Sequence, residues 1–424
     1  MNSTHKVFAT IITIGDELLI GQVVDTNSAW MAQQLNEIGV LVKRRISVGD
    51  DASEIRFALQ EAASISSIVL ITGGLGPTAD DITKPVLCEY FGGTMVVDDG
   101  ALQNVQEIFR KLNRPIIDRN LKQAEVPDVC KVVQNKRGTA PGMWFEKEGV
   151  IYVSMPGVPH EMKGMMLDDV LPQLQKALPL PAVSHRTLMT FGIGESYLAD
   201  LIQDWEAKLP GNIKLAYLPN YGLVRLRLTA VGEKKMQVER QLDETFTELQ
   251  LLVKDYMVTD LDEPLPVIVG KLLKKHTKNL VLAESCTGGY LAHLITAIPG
   301  SSAYFSGSIV SYSNYLKNQL LLVGDETLKA HGAVSEEVVK AMANGALKET
   351  ESDYAIAVSG IMGPDGGSAE KPVGTVWIAV ANAQQVIAKK MHFRYDRSRN
   401  IEMTSMYALN MLRQLVIADM ETSA

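Results

Sequence analysis

The residues best suited to chemistry lie in the string AESCTGGYLAHLI (283–295). An apolar strand runs into Ser285, then Cys286, Thr287, Gly288 and Gly289, and a helix follows. Small residues let a backbone approach a ligand closely, and a helix start presents unpaired amides. A serine placed there could attack a carbonyl while backbone N–H groups hold the oxyanion. The competing reading is that Ser285 caps the helix and the glycines make a turn.

Two further polar clusters follow. SIVSYSNYLKNQLL (308–321) holds a short strand and then Tyr312, Ser313, Asn314 and Lys317. A lysine shielded beside a nucleophile loses its proton and acts as a general base; otherwise Lys317 is a solvated helix residue and Tyr312 a packing residue. SGIMGPDGGSAEKPVGTVW (359–377) contains Gly360, Gly363, Gly366, Gly367 and Gly374. It reads either as a loop wrapping a polar ligand or as a long flexible connection. Asp365 in it could hold a ribose or order the loop. The chain offers no His–Asp partner for a triad. His293, within an apolar helix, and His331, in an HGAVS turn, read as structural.

The N-terminal part carries a different chemistry. TIGDELLIGQVVDTNSAW (13–30) is a strand, a polar turn containing Gly15 and Asp16, and a helix preceded by Asp25, Thr26 and Asn27. ITGGLGPTADDITKP (71–85) is a strand, then a turn with Gly73, Gly74, Gly76 and Thr78, then Asp80 and Asp81. Such a turn can cradle a phosphate with its amides. It has neither the Gly-Lys-Ser/Thr of a Walker A loop nor dinucleotide GxGxxG spacing. Carboxylates beside a phosphate repel it unless a cation intervenes, so Asp16, Asp50 and Asp81 hint at a divalent metal. The alternative is that Asp80 and Asp81 merely favour a helix start.

The elements that position these motifs follow from apolar periodicity. The runs 7–14, 67–72 and 150–155 read as buried strands alternating with amphipathic stretches such as 27–39, which implies an α/β layer fold with a mainly parallel sheet. From about 180 to 258 a strand, a helix, two strands joined at Asn220–Gly222 and a second helix form a small α+β module. After LDEPLP (261–266) a helix and a strand (279–285) lead into the serine turn. Residues 354–361 and 374–383 read as further strands, and a helix is expected over about 398–417.

Composition bounds the function. With 46% hydrophobic and 21% charged residues, the chain can bury real cores. A net charge of −8 argues against a dominant nucleic-acid surface. Three scattered cysteines, Cys88, Cys130 and Cys286, suit neither a disulfide framework nor a zinc site. There is no signal-peptide pattern and no apolar run of the roughly 18 residues a membrane helix needs. These features predict a soluble, cytoplasmic protein without nucleic-acid or membrane partners.

The strings AESCTGG, VSYSN, HGAVS and SGIMGPDGG with PVGTVW resemble the CinA C-terminal family over about 262–420. That resemblance implies a nicotinamide mononucleotide deamidase with Ser285 as nucleophile, Lys317 as its base and Tyr312 assisting, without a cofactor. Thr287, Gly288, Gly289, Asn314, Gly360, Gly363 and Asp365 would contact substrate, Arg397 would hold its phosphate, and Arg399 is a further substrate-binding candidate. The YDRSRN stretch departs from the family pattern: Tyr395 replaces a glycine, Glu402 an arginine, and Arg399 is extra. GDELLIGQ and TGGLGPTADD resemble the molybdopterin-binding fold, a three-layer α/β domain, over about 6–170. The strings DTN, SVGDD and MPGVPHEM match its CinA branch. This implies hydrolysis of ADP-ribose to AMP and ribose 5-phosphate with a divalent ion (Mg2+, Mn2+ or Co2+) and with K+ as a further option. Asp16, Asp50 and Asp81 would hold the metal. Gly15, Asn27, Gly73, Gly74, Gly76 and Thr78 would hold the nucleotide, with Glu161 a further pocket residue. The middle module resembles a KH-like domain, but FGIGES lacks a full GXXG loop and flanking basic residues, so it reads as a spacer or dimer element. The expected domains are 1–172, 173–258 and 259–424, in a homodimer acting on small nucleotides. The other readings are a scaffold linked to competence or DNA damage with inactive sites, and a molybdopterin-binding protein.

Overall fold

A computed structural model describes residues 6–78, 80–220 and 222–423. The chain forms two compact units, Met1–Ser184 with Thr229–Leu242 and His185–Leu228 with Asp243–Ala424. Among the described residues, no helix is long and apolar enough to cross a membrane.

The first unit contains β1 (Val7–Ile14), β2 (Val40–Val48), β3 (Ile68–Thr72), the short strands β4 (Met95–Val97) and β5 (Glu125–Pro127), then β6 (Lys131–Val133), β7 (Gly142–Lys147) and β8 (Val150–Met155). Its main sheet has the order β2-β1-β3-β8-β7-β6, and β4 pairs with β5 alone. Strands β2, β1, β3 and β8 are parallel; β7 and β6 add to that edge antiparallel. The parallel strands need helical crossovers that cover both faces, which is why β3 is buried throughout and reads as a continuous apolar run. Met31 and Leu35 of the helix Thr26–Glu37 pack on one face with Met162 and Met165. Ile55 and Leu59 of the helix Ala52–Ile65 pack on the other with Leu87. The edge strand β2 exposes Lys43, Arg44 and Arg45, charges that oppose pairing with another chain.

The middle of the chain supplies β9 (Ala182–Phe191), β10 (Ile213–Asn220), β11 (Leu223–Gly232) and β12 (Met257–Thr259), ordered β10-β11-β9-β12. The helices Glu195–Glu206 and Lys235–Leu252 complete it. The turn expected at Asn220–Gly222 contains Tyr221, which lies outside the described residues.

The C-terminal sheet holds β13 (Leu280–Glu284), β14 (Phe305–Val310), β15 (Tyr354–Gly360), β16 (Thr375–Ala381) and β17 (Val386–His392), ordered β14-β13-β15-β16-β17. Strands β14, β13 and β15 are parallel, and β16 and β17 antiparallel. Leu273, Leu291, Leu409 and Leu412 cover one face, and Val338, Val339, Met342 and Ala346 the other. In both sheets the chain leaves a central strand to one side and returns on the other, from β1 to β2 and then β3, and from β13 to β14 and then β15. A crevice opens at the carboxyl ends of the strands at such a reversal. Gly15 and Gly73 follow β1 and β3 there, and Ser285 follows β13.

One close approach fixes the helix Asn314–Leu321, which carries Lys317. A Cβ at Gly345, on the helix Glu336–Thr350, would meet the Leu321 carbonyl oxygen at 1.9 Å. Gly345→Ala is therefore expected to destabilise the fold by about 1–3 kcal/mol through overpacking, read by chemical denaturation. An unchanged midpoint would mean the two helices have room to part.

Candidate active site

The serine turn is built by its predecessor. Glu284 closes β13 fully buried. Its carboxylate accepts from the Thr287 hydroxyl (2.7 Å), the amides of Gly289 (3.0 Å), Leu291 (3.1 Å) and Ala292 (2.9 Å), and the Ser308 hydroxyl (3.0 Å). The start of the helix Tyr290–Thr296 is thus satisfied by Glu284. This corrects two expectations: Ser285 is not the cap, and these helix amides are not free for a ligand. Gly288 and Gly289 take left-handed φ values of 59° and 100°, which turn the chain into the helix.

Relieved of capping, Ser285 faces Lys317. Nζ of Lys317 donates to Ser285 Oγ at 2.9 Å and to the Ser311 carbonyl at 2.7 Å. Lys317 is only 1% exposed, and burial pushes its pKa below the ordinary lysine value. Low polarity disfavours the ammonium, so the amine is prepared to receive a proton, with Oγ–H then donating to Nζ. The neighbouring Cys286 thiol is pushed up to about 12 by burial, which keeps it protonated and a poor nucleophile.

A pocket of about 210 Å³ opens over this pair, lined by Ser285, Cys286, Tyr312, Asn314, Lys317, Ala333, Val334, Ser359, Gly360, Met362 and Arg397. The Arg397 guanidinium ties the rim together, donating to the Gly363 carbonyl (2.8 Å) and the Tyr312 hydroxyl (3.1 Å). The structure therefore brings Ser285, Lys317, Tyr312, Asn314, Gly360 and Arg397 to one pocket, with Gly363 bound to Arg397. Thr287, Gly288 and Gly289 do not line this pocket. Asp365 is exposed outside the lining. Arg399 lies over the Tyr395 ring at 5.2 Å and lines a neighbouring depression. His293 and His331 are exposed and do not line the serine pocket. Sequence reasoning missed Ser359, Ala333 and Val334, and above all Glu284; a carboxylate ending the apolar strand LVLAE was the available signal.

The glycine turn of the first unit is closed in a similar way. Asp81 accepts from the amides of Gly76 and Thr78, both at 2.8 Å, and from the Thr78 hydroxyl. A pocket of about 400 Å³ includes Gly15, Glu17, Asp50, Gly73, Gly74, Gly76, Asp80, Asp81 and Glu161. Asn27 lines a separate pocket with Thr72 and Gly157, and its amide donates to the Gly157 carbonyl at 2.7 Å. Asp16 and Asp50 exchange hydrogen bonds through their backbone amides, each 3.2 Å. Burial raises the Asp50 pKa; nearby Asp16, Glu17 and Asp80 add to that, against a lowering by the Asp16 amide. Hard carboxylate oxygens suit a divalent ion. Yet Asp81 is committed to its own loop, and no three His, Cys, Asp or Glu among the described residues converge on a metal position. Asp16, Asp50 and Asp81 as placed do not fit a ready-made metal cage.

Residues 10–176 match the probable molybdopterin binding domain, 185–259 the damage-inducible protein CinA KH domain and 262–416 the CinA C-terminal domain. A "CinA-like protein" of Cytophaga hutchinsonii is 46% identical over 97% of this chain and 98% of its own. The chain belongs to the CinA family. Another relative, a "Putative competence-damage inducible protein" of Caldicellulosiruptor bescii, is 39% identical over 96% of this chain and 99% of its own. A crystal structure of a CinA superfamily protein from Klebsiella pneumoniae matches 36% of this chain and 96% of its own at 35% identity, with a TM-score of 0.36. The relatives' names state no reaction.

Burying an amine has a stability signature. Lys317→Met fills the same space without a charge to desolvate, so its fold is expected to be at least as stable as the native one near neutral pH. The native stability should rise with pH over the window between the lowered folded pKa and the ordinary 10.5 of the unfolded chain. The variant's advantage should therefore be largest at low pH and shrink upward. Denaturation at several pH values checks this; a pH-independent difference would contradict the buried ammonium cost.

Proposed function

We propose that the C-terminal pocket hydrolyses the carboxamide of nicotinamide mononucleotide, giving nicotinate mononucleotide and ammonia. The observation that carries this reading is the contact between buried Lys317 and Ser285. The neutral amine takes the Ser285 proton as Oγ bonds to the carboxamide carbon. We assign the Cys286 backbone N–H, directly after the nucleophile at the pocket wall, to the developing oxyanion. Collapse breaks the C–N bond as the Lys317 ammonium gives its proton to the departing nitrogen, which leaves as ammonia. Water, giving a proton to Lys317, then attacks the acyl-serine carbonyl; the C–Oγ bond breaks, the acid is freed, and the Lys317 ammonium returns the proton to Ser285 Oγ. Arg397 supplies positive charge at the rim for the phosphate, and Tyr312, held by Arg397, borders the ring site.

Ammonia release from nicotinamide mononucleotide tests the reading directly. Ser285→Ala and Lys317→Ala are each expected to lower kcat by at least a hundredfold in folded protein. In the native enzyme kcat/KM should rise with pH along a limb whose midpoint lies below 10.5, because the base works only unprotonated. No turnover by the native protein would overturn the assignment.

A second reading concerns the first unit, where the carboxylate-lined glycine turn favours hydrolysis of ADP-ribose. With no ready-made cage, a divalent cation would enter bound to the diphosphate. EDTA is expected to stop conversion of ADP-ribose to AMP and ribose 5-phosphate and to leave deamidation unchanged. Chelator-sensitive deamidation would count against the serine chemistry; chelator-resistant ADP-ribose hydrolysis would count against the cation.

A further inference from the structure

Glu284 touches neither the pocket nor Ser285 Oγ, yet it grips both segments that carry the reacting pair. Three of the five groups around its carboxylate are backbone amides, which can only donate, and they are shared between the two oxygens, so both oxygens act as acceptors. Four of the five, Thr287 Oγ and the amides of Gly289, Leu291 and Ala292, belong to the turn and helix after Ser285. The fifth, Ser308 Oγ, belongs to β14. The Glu284 backbone carbonyl also accepts from the Ser311 amide at 2.8 Å. Ser311 in turn offers its own carbonyl to Lys317 Nζ. One buried residue thereby fixes the serine turn through its side chain and the lysine's acceptor through its main chain.

We propose that Glu284 is a positioning residue for Ser285 and Lys317, holding the nucleophile turn against β14 so that amine and hydroxyl stay within hydrogen-bond reach. The proposal rests on the serine–lysine reading above. Glutamine has nearly the same shape but places an NH2 at one oxygen position. Hydroxyls can rotate to accept from that NH2; backbone amides cannot. In Glu284→Gln the Ala292 amide, or the pair from Gly289 and Leu291, therefore faces another donor. The turn must shift, and Lys317 loses its tight seal. A better hydrated amine recovers a pKa closer to the ordinary value.

The test labels Ser285 with a fluorophosphonate, which acylates an activated serine without needing the natural substrate, and follows the rate against pH. Deamidation kinetics are measured in parallel on the full chain. Glu284→Gln is expected to slow labelling and kcat by at least tenfold, leave KM within twofold, and move the midpoint of the labelling profile to higher pH. Ser308→Ala removes only the β14 link; it is expected to give a several-fold loss with the same upward movement, and it keeps the test alive if Glu284→Gln fails to fold. Native-like labelling rate and midpoint in Ser308→Ala and in any folded Glu284→Gln overturn the positioning role while the serine–lysine reading stands. Slower rates with an unmoved midpoint also overturn it, because they show a general loss of structure. A native protein that neither labels at Ser285 nor releases ammonia overturns the underlying reading and this proposal with it.

Discussion

An ammonium group loses strong hydration when it leaves water, and the C-terminal domain is organised around that loss at Lys317. The side chain is sealed by the helix Asn314–Leu321, which Gly345 allows to lie close against its neighbour. Among the described residues its amine donates to two oxygens, one from Ser285 and one from the Ser311 main chain. Fewer acceptors would leave a buried polar group without partners; a carboxylate partner would restore the charge that burial removes. Two neutral oxygens keep the amine in place and stabilise its protonated form less than a carboxylate would. The reactivity assigned to Ser285 follows from that balance.

Both glycine turns show a second regularity. A tight turn leading into a helix gathers N–H groups that attract negative charge. Here the chain supplies the charge itself, through Glu284 in one turn and Asp81 in the other. The turns are consequently rigid frames whose outward sides border the pockets. The rest of the serine pocket's polar lining comes instead from side chains of other segments, among them Tyr312, Asn314 and Arg397.

Much of this was legible in the residues. The buried strands read as apolar runs because both faces of a parallel sheet are covered, and the serine, tyrosine and lysine strings fell at strand ends. What local patterns could not reveal was which acceptor each amide uses. Glycines beside Ser285 look identical whether a ligand or Glu284 fills the turn, because the deciding contacts run from Glu284 to Leu291, Ala292 and Ser308. The family resemblance assigns Thr287 to substrate, yet its hydroxyl is turned toward Glu284. Asp81 was grouped with Asp16 and Asp50 by charge, yet its geometry binds it to Gly76 and Thr78. Arg399 and Arg397, two positions apart on one helix, diverge to different depressions, a separation set by the helical turn.

The sequence distances within the serine pocket have a consequence for a chain leaving the ribosome. Ser285 and Lys317 are 32 residues apart and lie on adjoining elements. Arg397, which ties the rim, reaches back 85 residues to Tyr312. During synthesis Ser285 and Lys317 therefore both emerge well before Arg397, the residue that ties the rim. Chain order thus presents the serine–lysine pair first and the tie across its rim last, the shorter loop being the less costly to close.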